Sequence, residues 1–266
     1  MLNQAPHFQN EQVYEDQNVV SEYLHAKYLI PPEQTIINDL ADQLPGMSML
    51  DIAVGGGRTT YHFAGRVKNY VGTDYSAKMI EACEERFKGH ADNISFKVAD
   101  MRHLDIFPEH AFDFILISFN AISVLSHEDR LATLKQIRRI GKPGGYFCFS
   151  AHNLQWTYNV FSLTGQISWL HPKHTYWNLL KWYALRRHNV GSTIRNRKNM
   201  AHAIVNDGAH DFRLEHYYLT PAEQLLQLRD DFTHIRVFAR DGHEISNPDE
   251  IKNNRDGYLY YLCTIS

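Results

Sequence analysis

The chain is poor in cysteine, with three among 266 residues. Cys83 falls in a predicted helix, Cys148 and Cys263 fall in predicted strands, and no close CxxC pair exists. Buried thiols are therefore expected, not a disulfide framework or a cysteine-built metal site. Long hydrophobic runs are also lacking, since no apolar stretch approaches the roughly 20 residues that cross a bilayer. Nor is there an excess of one charge: 27 Lys and Arg stand against 30 Asp and Glu, a formal net charge of -3. A global basic field for nucleic acid is absent. The opening residues, MLNQAPHFQNEQVYEDQ, lack the basic and apolar regions of a secretory signal, so a cytoplasmic protein without a membrane partner is expected. The 16 histidines are scattered. His171 and His174 lie three apart with no matching pair, and no metal is expected. No internal repeat or low-complexity tract is found.

What is present is a long alternation of strand and helix signals. Residues 1–17 are polar, and residues 19–30 have helical periodicity. Pro31 and Pro32 interrupt it, and Pro32 or Glu33 can open the next helix, which ends near Leu44. Strands are predicted at 47–54, 69–74, 94–100, 112–118 and 146–150. A helix follows the first strand from about Arg58, another follows Ser76, a good cap, and a third covers 127–140. The fourth strand, FDFILIS, is nearly all apolar, as expected in the middle of a parallel sheet. Residues 234–239 and 258–265 look like an antiparallel sheet edge. The fold class expected is α/β: a doubly wound, Rossmann-like, mostly parallel sheet with an antiparallel C-terminal edge strand and an inserted substrate-cap segment.

Composition divides the chain further. Residues 1–46 form an N-terminal helical cap, and 47–152 form the cofactor-binding core. Residues 153–219 form an inserted aromatic and basic cap, and 220–266 complete the core. Residues 153–211 hold all four tryptophans and seven basic residues against two acidic ones. Residues 212–219 read as an added strand, and Thr220 as a cap for the helix after it.

The sharpest feature is the run LDIAVGGGR at 50–58, where a strand enters glycines and then a helix. Small residues let a backbone approach a ligand, and free helix N–H groups face it. The pattern does not complete GxGxxG, because Thr60 stands at the third glycine, and no Lys-Ser or Lys-Thr follows to make a P-loop. Asp74 ends the second strand, where a carboxylate can accept both ribose hydroxyl hydrogens of an NAD or adenosyl group. Asp100 ends the third strand. It can accept from an adenine amino group while Met101 packs on the ring, or it can cap a short helix at 102–106.

With these residues in place, the chain resembles the class I S-adenosylmethionine (SAM)-dependent methyltransferase family, well over residues 47–150 and weakly outside them. The resemblance rests on DIAVGGG at 51–57, Asp74 in VGTDYS, Asp100 in VADM, FDFILISFNAI and KPGGYFCFS. Ala53 departs from it, occupying a position usually held by glycine. The resemblance implies SAM as cofactor, with S-adenosylhomocysteine as product. The backbone around Ala53, Gly55 and Gly57 would line the methionine moiety. Asp74 would bind ribose, Tyr75 would lie against adenine, and Asp100 and Met101 would meet the adenine edge. Ser118 and Phe119 would lie near the sulfonium. Arg58 would cap the site or pair with Asp51. Tyr28, Tyr14 or Tyr23 would place a hydroxyl near the cofactor carboxylate.

The expected reaction is methyl transfer to an oxygen or nitrogen of a small-molecule acceptor. Transfer needs a nucleophile held in line behind the methyl carbon, and a base only where a proton must leave. His152, His127, Asn120 and Tyr217 are the candidates to hold or deprotonate the acceptor. Tyr218 alternates with Tyr217, so the two face opposite sides. Asp241 and His243 are weaker candidates, readable as turn residues. Trp156, Tyr158, Phe161, Trp169, Trp177 and Trp182 can build an aromatic wall, although core packing explains most of them. Arg186, Arg187, Arg195 and Arg197 can meet an acidic substrate. The alternatives are methylation of protein or nucleic acid, a nicotinamide enzyme and a noncatalytic SAM-binding module. SFNA in the fourth-strand motif is unlike the Asn-Pro-Pro type of many amino-group methyltransferases of DNA and protein. Pairing of two copies stays open.

Overall fold

A computed structural model describes residues 26–167, 172–189 and 200–266. The N-terminal part of the chain enters through helix α1 (Pro31–Asp39), which has a proline in its first turn, and a 3-10 turn at Leu44–Gly46. The Glu33 carboxylate reaches back to accept the Ile30 backbone N–H at 3.0 Å, fixing the start of α1. Residues 26–30 carry no helix, which corrects the expectation for that part of 19–30. The rest of that segment, with Tyr14 and Tyr23, lies outside the described residues, as do Trp169, His171, Arg195 and Arg197.

The central elements follow as β1 (Ser48–Ile52), α2 (Thr60–Phe63), β2 (Asn69–Asp74), α3 (Ala77–Phe87), β3 (Ile94–Val98), β4 (Phe112–Ile117), α4 (His127–Ile140) and β5 (Gly141–His152). After α5 (Thr157–Val160) and α6 (Pro172–His188), strands β6 (His202–Val205) and β7 (His216–Leu219) pair in a separate antiparallel sheet. The chain closes with α7 (Pro221–Leu228), β8 (Phe232–Phe238), α8 (Pro248–Asn253) and β9 (Tyr258–Ile265). The main sheet has seven strands in the order β3-β2-β1-β4-β5-β9-β8. β1 to β5 are parallel, and β9 runs antiparallel between β5 and β8. The fold is thus doubly wound α/β, with β9 inserted ahead of β8.

Local chemistry explains most of these bounds. Ser76, Ser126 and Thr220 each cap a helix by accepting a backbone N–H from Met79, Asp129 and Glu223. α4 ends in Arg138 and Arg139, which suit the negative end of its dipole. The turn expected at 141–145 is instead an irregularity within β5. Phe112 pairs with Gly141 and Phe114 with Tyr146, so the extra residues bulge out around Gly144, whose φ is +79°. The helix expected from Arg58 is only the four residues of α2.

Alternation along the strands sends side chains to two cores. Ile115 and Ile117 of β4 join Phe147, Phe149 and the α4 residues Leu134 and Ile137. Phe114 and Leu116 join Met49, Tyr70 and Ile36 of α1 on the opposite face. That two-sided burial is why β4 reads as a continuous apolar run. Cys83, Cys148 and Cys263 are buried and unpaired. Among the described residues no helix is long and apolar enough to cross a membrane.

Candidate functional site

Five parallel strands end at one edge of the sheet, and each contributes there. The end of β1 leads to Ala53 and Gly55, β2 to Asp74 and Tyr75, and β3 to Asp100 and Met101. β4 leads to Ser118, Phe119 and Asn120, and β5 ends in His152. A cavity of about 300 Å³ is lined there by Ala53, Gly55, Asp74, Tyr75, Asn120 and His152 among others. The segment around β7 closes it with Asp207, His210 and His216. A second cavity of about 260 Å³ shares Ala53, Gly55, Ser118 and Phe119 with the first and continues to Tyr28 and Arg58. The glycine turn therefore borders two adjacent chambers.

Ala53 has a φ of +56°, the left-handed region that favours glycine. The methyl group at the departure noted above is thus a strained residue at the cavity wall. Ala53→Gly should raise the unfolding free energy by roughly 0.5–1 kcal/mol, the left-handed penalty less the extra freedom of an unfolded glycine. Urea denaturation would check this, and a lower midpoint would contradict it. Gly55 also has positive φ, at +52°, and lines both chambers. Gly57 serves another purpose. At φ +78°, an added Cβ would sit 2.4 Å from the Phe87 ring, so this glycine admits the α3 side chain. It does not line either chamber.

Asp74 is buried, and its position is fixed by two backbone donors. Gly55 N–H donates to Oδ2 at 2.9 Å and Ser76 N–H to Oδ1 at 3.0 Å. Asp100 is held by its own neighbour. The Arg102 backbone N–H donates to Oδ1 at 2.8 Å, and the guanidinium grips both oxygens. No helix follows at 102–106, which corrects the capping alternative. Asp100, Met101, Tyr75 and Val124 line a small crevice, and the last three also line the larger chamber.

Arg58 does not pair directly with Asp51. Its guanidinium meets Glu33 bidentately at 2.7 and 2.6 Å, and donates to the Tyr28 carbonyl at 2.8 Å and to Ser118 Oγ at 2.7 Å. Ser118 Oγ and the Tyr260 hydroxyl both donate to Glu33 Oε1. Burial opposes ionisation of Glu33, yet Arg58 holds its carboxyl below the usual range. The Phe119 ring stacks over Arg58, 5.1 Å from the guanidinium carbon, and the Tyr28 ring approaches it at 5.8 Å. Asp51 accepts instead from Thr59 at 2.5 Å and Tyr70 at 2.6 Å. Burial pushes its pKa up to about 6, against the pull of those two hydroxyls.

The four residues expected at the acceptor side separate into two pairs. Asn120 and His152 line the larger chamber. The Asn120 backbone is left-handed at φ +61°, and its N–H donates to Ser150 Oγ at 2.7 Å. Its Oδ1 is buried and has no hydrogen-bond partner among the described residues. His152 is enclosed, and burial first, then the neighbouring His216, push its pKa down to about 3. Its ring stacks on Tyr218 at 4.6 Å, and Tyr218 lies in turn near-parallel to Trp156 at 6.0 Å.

His127 and Tyr217 do not line the chamber. His127 Nδ1 and the Tyr217 hydroxyl bond each other at 2.7 Å, beside the His202 ring and the buried Arg130. Alternation along β7 is the reason, since His216 and Tyr218 share one face and Tyr217 and Leu219 the other. Asp241 and His243 form an exposed pair at 2.6 Å, far enough from both chambers to line neither.

Among the described aromatics expected in a wall, packing accounts for more than a wall does. Phe161 is buried in a small core with Leu154, Leu185 and Tyr218. Trp182 donates to the Phe161 carbonyl and is covered by Arg186, while Trp177 is exposed. Trp156 lines a shallow opening together with His152 and Tyr218. Sequence reasoning missed Glu33, Asp207, His210 and His216. The one available signal was the His-x-Tyr alternation at 216–218, which puts two polar side chains on one strand face.

Residues 49–145 match a family model described as a methyltransferase domain. Over 119 residues, the chain is 34% identical to fusarielin synthase FSL1 of Gibberella zeae, covering 42% of this chain and 4% of that protein. Over 112 residues it is 36% identical to the ubiquinone/menaquinone biosynthesis C-methyltransferase UbiE of Ectopseudomonas mendocina, covering 40% of this chain and 42% of that protein. The chain thus matches less than half the length of either relative. A SAM-dependent methyltransferase structure from Mesorhizobium loti superposes with a TM-score of 0.58 at 15% identity, covering 88% of this chain and 97% of that one.

Proposed function

We propose that this chain, which has the class I SAM-dependent methyltransferase-like fold and carries a methyltransferase domain over residues 49–145, transfers the methyl group of SAM to an oxygen or nitrogen of a small molecule. The observation that supports it is the continuity of one cavity. The same space touches Gly55 and Asp74 at one end and Asn120 and His152 at the other. Bound SAM supplies an electrophilic methyl carbon, so cofactor and acceptor must share one enclosed volume.

The residues present fit the cofactor. Asp74, an acceptor-only carboxylate braced by two backbone donors, is suited to two ribose hydroxyls. Tyr75 and Met101 offer apolar contact for adenine in the crevice beside them. The Gly55 backbone and Tyr28 border the chamber where a methionine moiety would lie. Arg58, committed to Glu33, shapes that chamber with its flat face against Phe119. Asp100, gripped by Arg102, meets the adenine amino group only with an oxygen shared with that pair.

On the acceptor side, Asn120 Oδ1 is a buried acceptor in need of a donor, which a hydroxyl or amine would provide. The likeness to UbiE, named a C-methyltransferase, keeps a carbon acceptor as the second reading. A screen with SAM labelled in its methyl group should move label into small organic acceptors. Asn120→Ala should raise the acceptor KM roughly tenfold, the worth of one hydrogen bond, and leave SAM affinity unchanged. Label appearing only in protein or nucleic acid would overturn the small-molecule reading.

A further inference from the structure

His152, Asp207 and His216 converge on the acceptor side of the larger chamber from distant places in the chain. His152 ends β5 of the main sheet, His216 starts β7 of the small sheet, and Asp207 lies in the connection between β6 and β7. One potential ligand atom from each lies within 4.8 Å of the other two. His216 Nδ1 and Asp207 Oδ2 are 2.9 Å apart. All three residues line the chamber that also holds Asn120.

We propose that these three side chains form a binding site for one divalent transition-metal ion of the zinc class. Two imidazoles and one carboxylate are a nitrogen-rich set that suits zinc, cobalt or iron(II) better than magnesium or calcium. Three protein ligands leave a coordination position open, the arrangement of catalytic metal sites. Here all three ligands line the cavity, so an open position would be within reach of its contents. Zinc–ligand bonds of 2.0–2.1 Å in tetrahedral geometry put neighbouring ligand atoms roughly 3.3 Å apart, so the group closes by about 1.5 Å at most.

The surroundings are built to hold such ligands. The Tyr218 hydroxyl donates to Asp207 Oδ2 at 2.9 Å, fixing the carboxylate from outside. The His152 ring is stacked on the Tyr218 ring, with centroids 4.6 Å apart. Partners of this kind set the tautomer and aim of ligating groups. The ligands come from the main sheet, the small sheet and the connection within the latter, and an ion would tie the two sheets together beside their existing bridge at Asn153 and Leu219. Metal binding stands independently of the methyltransferase reading. That an oxygen of the methyl acceptor takes the open position rests on it.

The chelator-stripped full chain is titrated with Zn²⁺ by calorimetry and with Co²⁺ by visible absorption, in the absence of SAM. One ion per chain is expected, with Co²⁺ bands of a low-coordinate nitrogen and oxygen site. Asp207→Asn keeps an oxygen acceptor for His216 and Tyr218, and His152→Asn removes the ligand from the main sheet. Each should weaken Zn²⁺ by at least roughly 100-fold with an unchanged circular dichroism spectrum. His243→Asn, in the exposed cluster with Asp241 and Glu250, should bind as the parent does. Absence of stoichiometric binding, or binding retained in Asp207→Asn, overturns the site. A failure of methyl transfer alone leaves these titrations intact and speaks only against the methyltransferase reading.

Discussion

Glu33→Ala should lower the unfolding free energy by about 3 kcal/mol, the low end of the cost of breaking a buried ion pair. Glu33 is 1% exposed and Arg58 9% exposed, and the carboxylate accepts from Arg58, Ser118, Tyr260 and the Ile30 backbone. Its removal leaves the guanidinium without its counter-charge, with only the Tyr28 carbonyl and Ser118 Oγ as acceptors, and takes one acceptor from the Ser118 and Tyr260 hydroxyls, which still bond each other. Arg58 borders a chamber, so water can relieve part of the charge, which places the value at the low end. Glu33→Leu combined with Arg58→Met removes both charges together and should recover most of the loss. Denaturant midpoints measured on all three variants check this. A single variant as stable as the parent would show that the pair contributes nothing.

Asp74→Ala should weaken SAM binding by roughly 100-fold, about 3 kcal/mol, because two hydrogen bonds to a charged acceptor are lost. The carboxylate also fixes Gly55 and Ser76, so part of the loss comes from a looser turn. Asp74→Asn separates the two contributions. It can still accept from one backbone donor but offers no charge, and should fall between parent and alanine variant. Calorimetry gives the three affinities directly. Equal affinity in parent and Asp74→Ala would remove Asp74 from the ribose position.

The parts of this site that can be read in the sequence are those built from neighbouring residues. The β1 turn at 51–57, the strand-end position of Asp74 and the cap at Thr220 each depend on a few consecutive side chains and a period. α4 was legible to the residue, because Ser126 caps it and Arg138 and Arg139 close it. What could not be read depends on distant partners. Arg58 lies 25 residues from Glu33, so Asp51, on the adjoining strand, was the nearer partner to expect. Gly57 belongs to the glycine turn in sequence, but its conformation serves Phe87 at the end of α3. The faces of Tyr217 and Tyr218 follow from strand alternation, yet which face meets the chamber depends on how the β6–β7 sheet docks on β5. Asp207 and His216 meet within the β6–β7 unit, and His152 reaches them only through that docking. Residues 26–30 have helical composition but precede two prolines, and the residue before a proline is pushed towards extended backbone; Ile30 has ψ 157°.

The most direct measurement of the central claim is calorimetric titration of the purified chain with SAM, with NAD as a parallel control. One SAM per chain with no heat from NAD is the predicted result, and it would license the labelled-methyl screen. Binding of NAD without SAM would contradict the account and turn the same cavity towards redox chemistry.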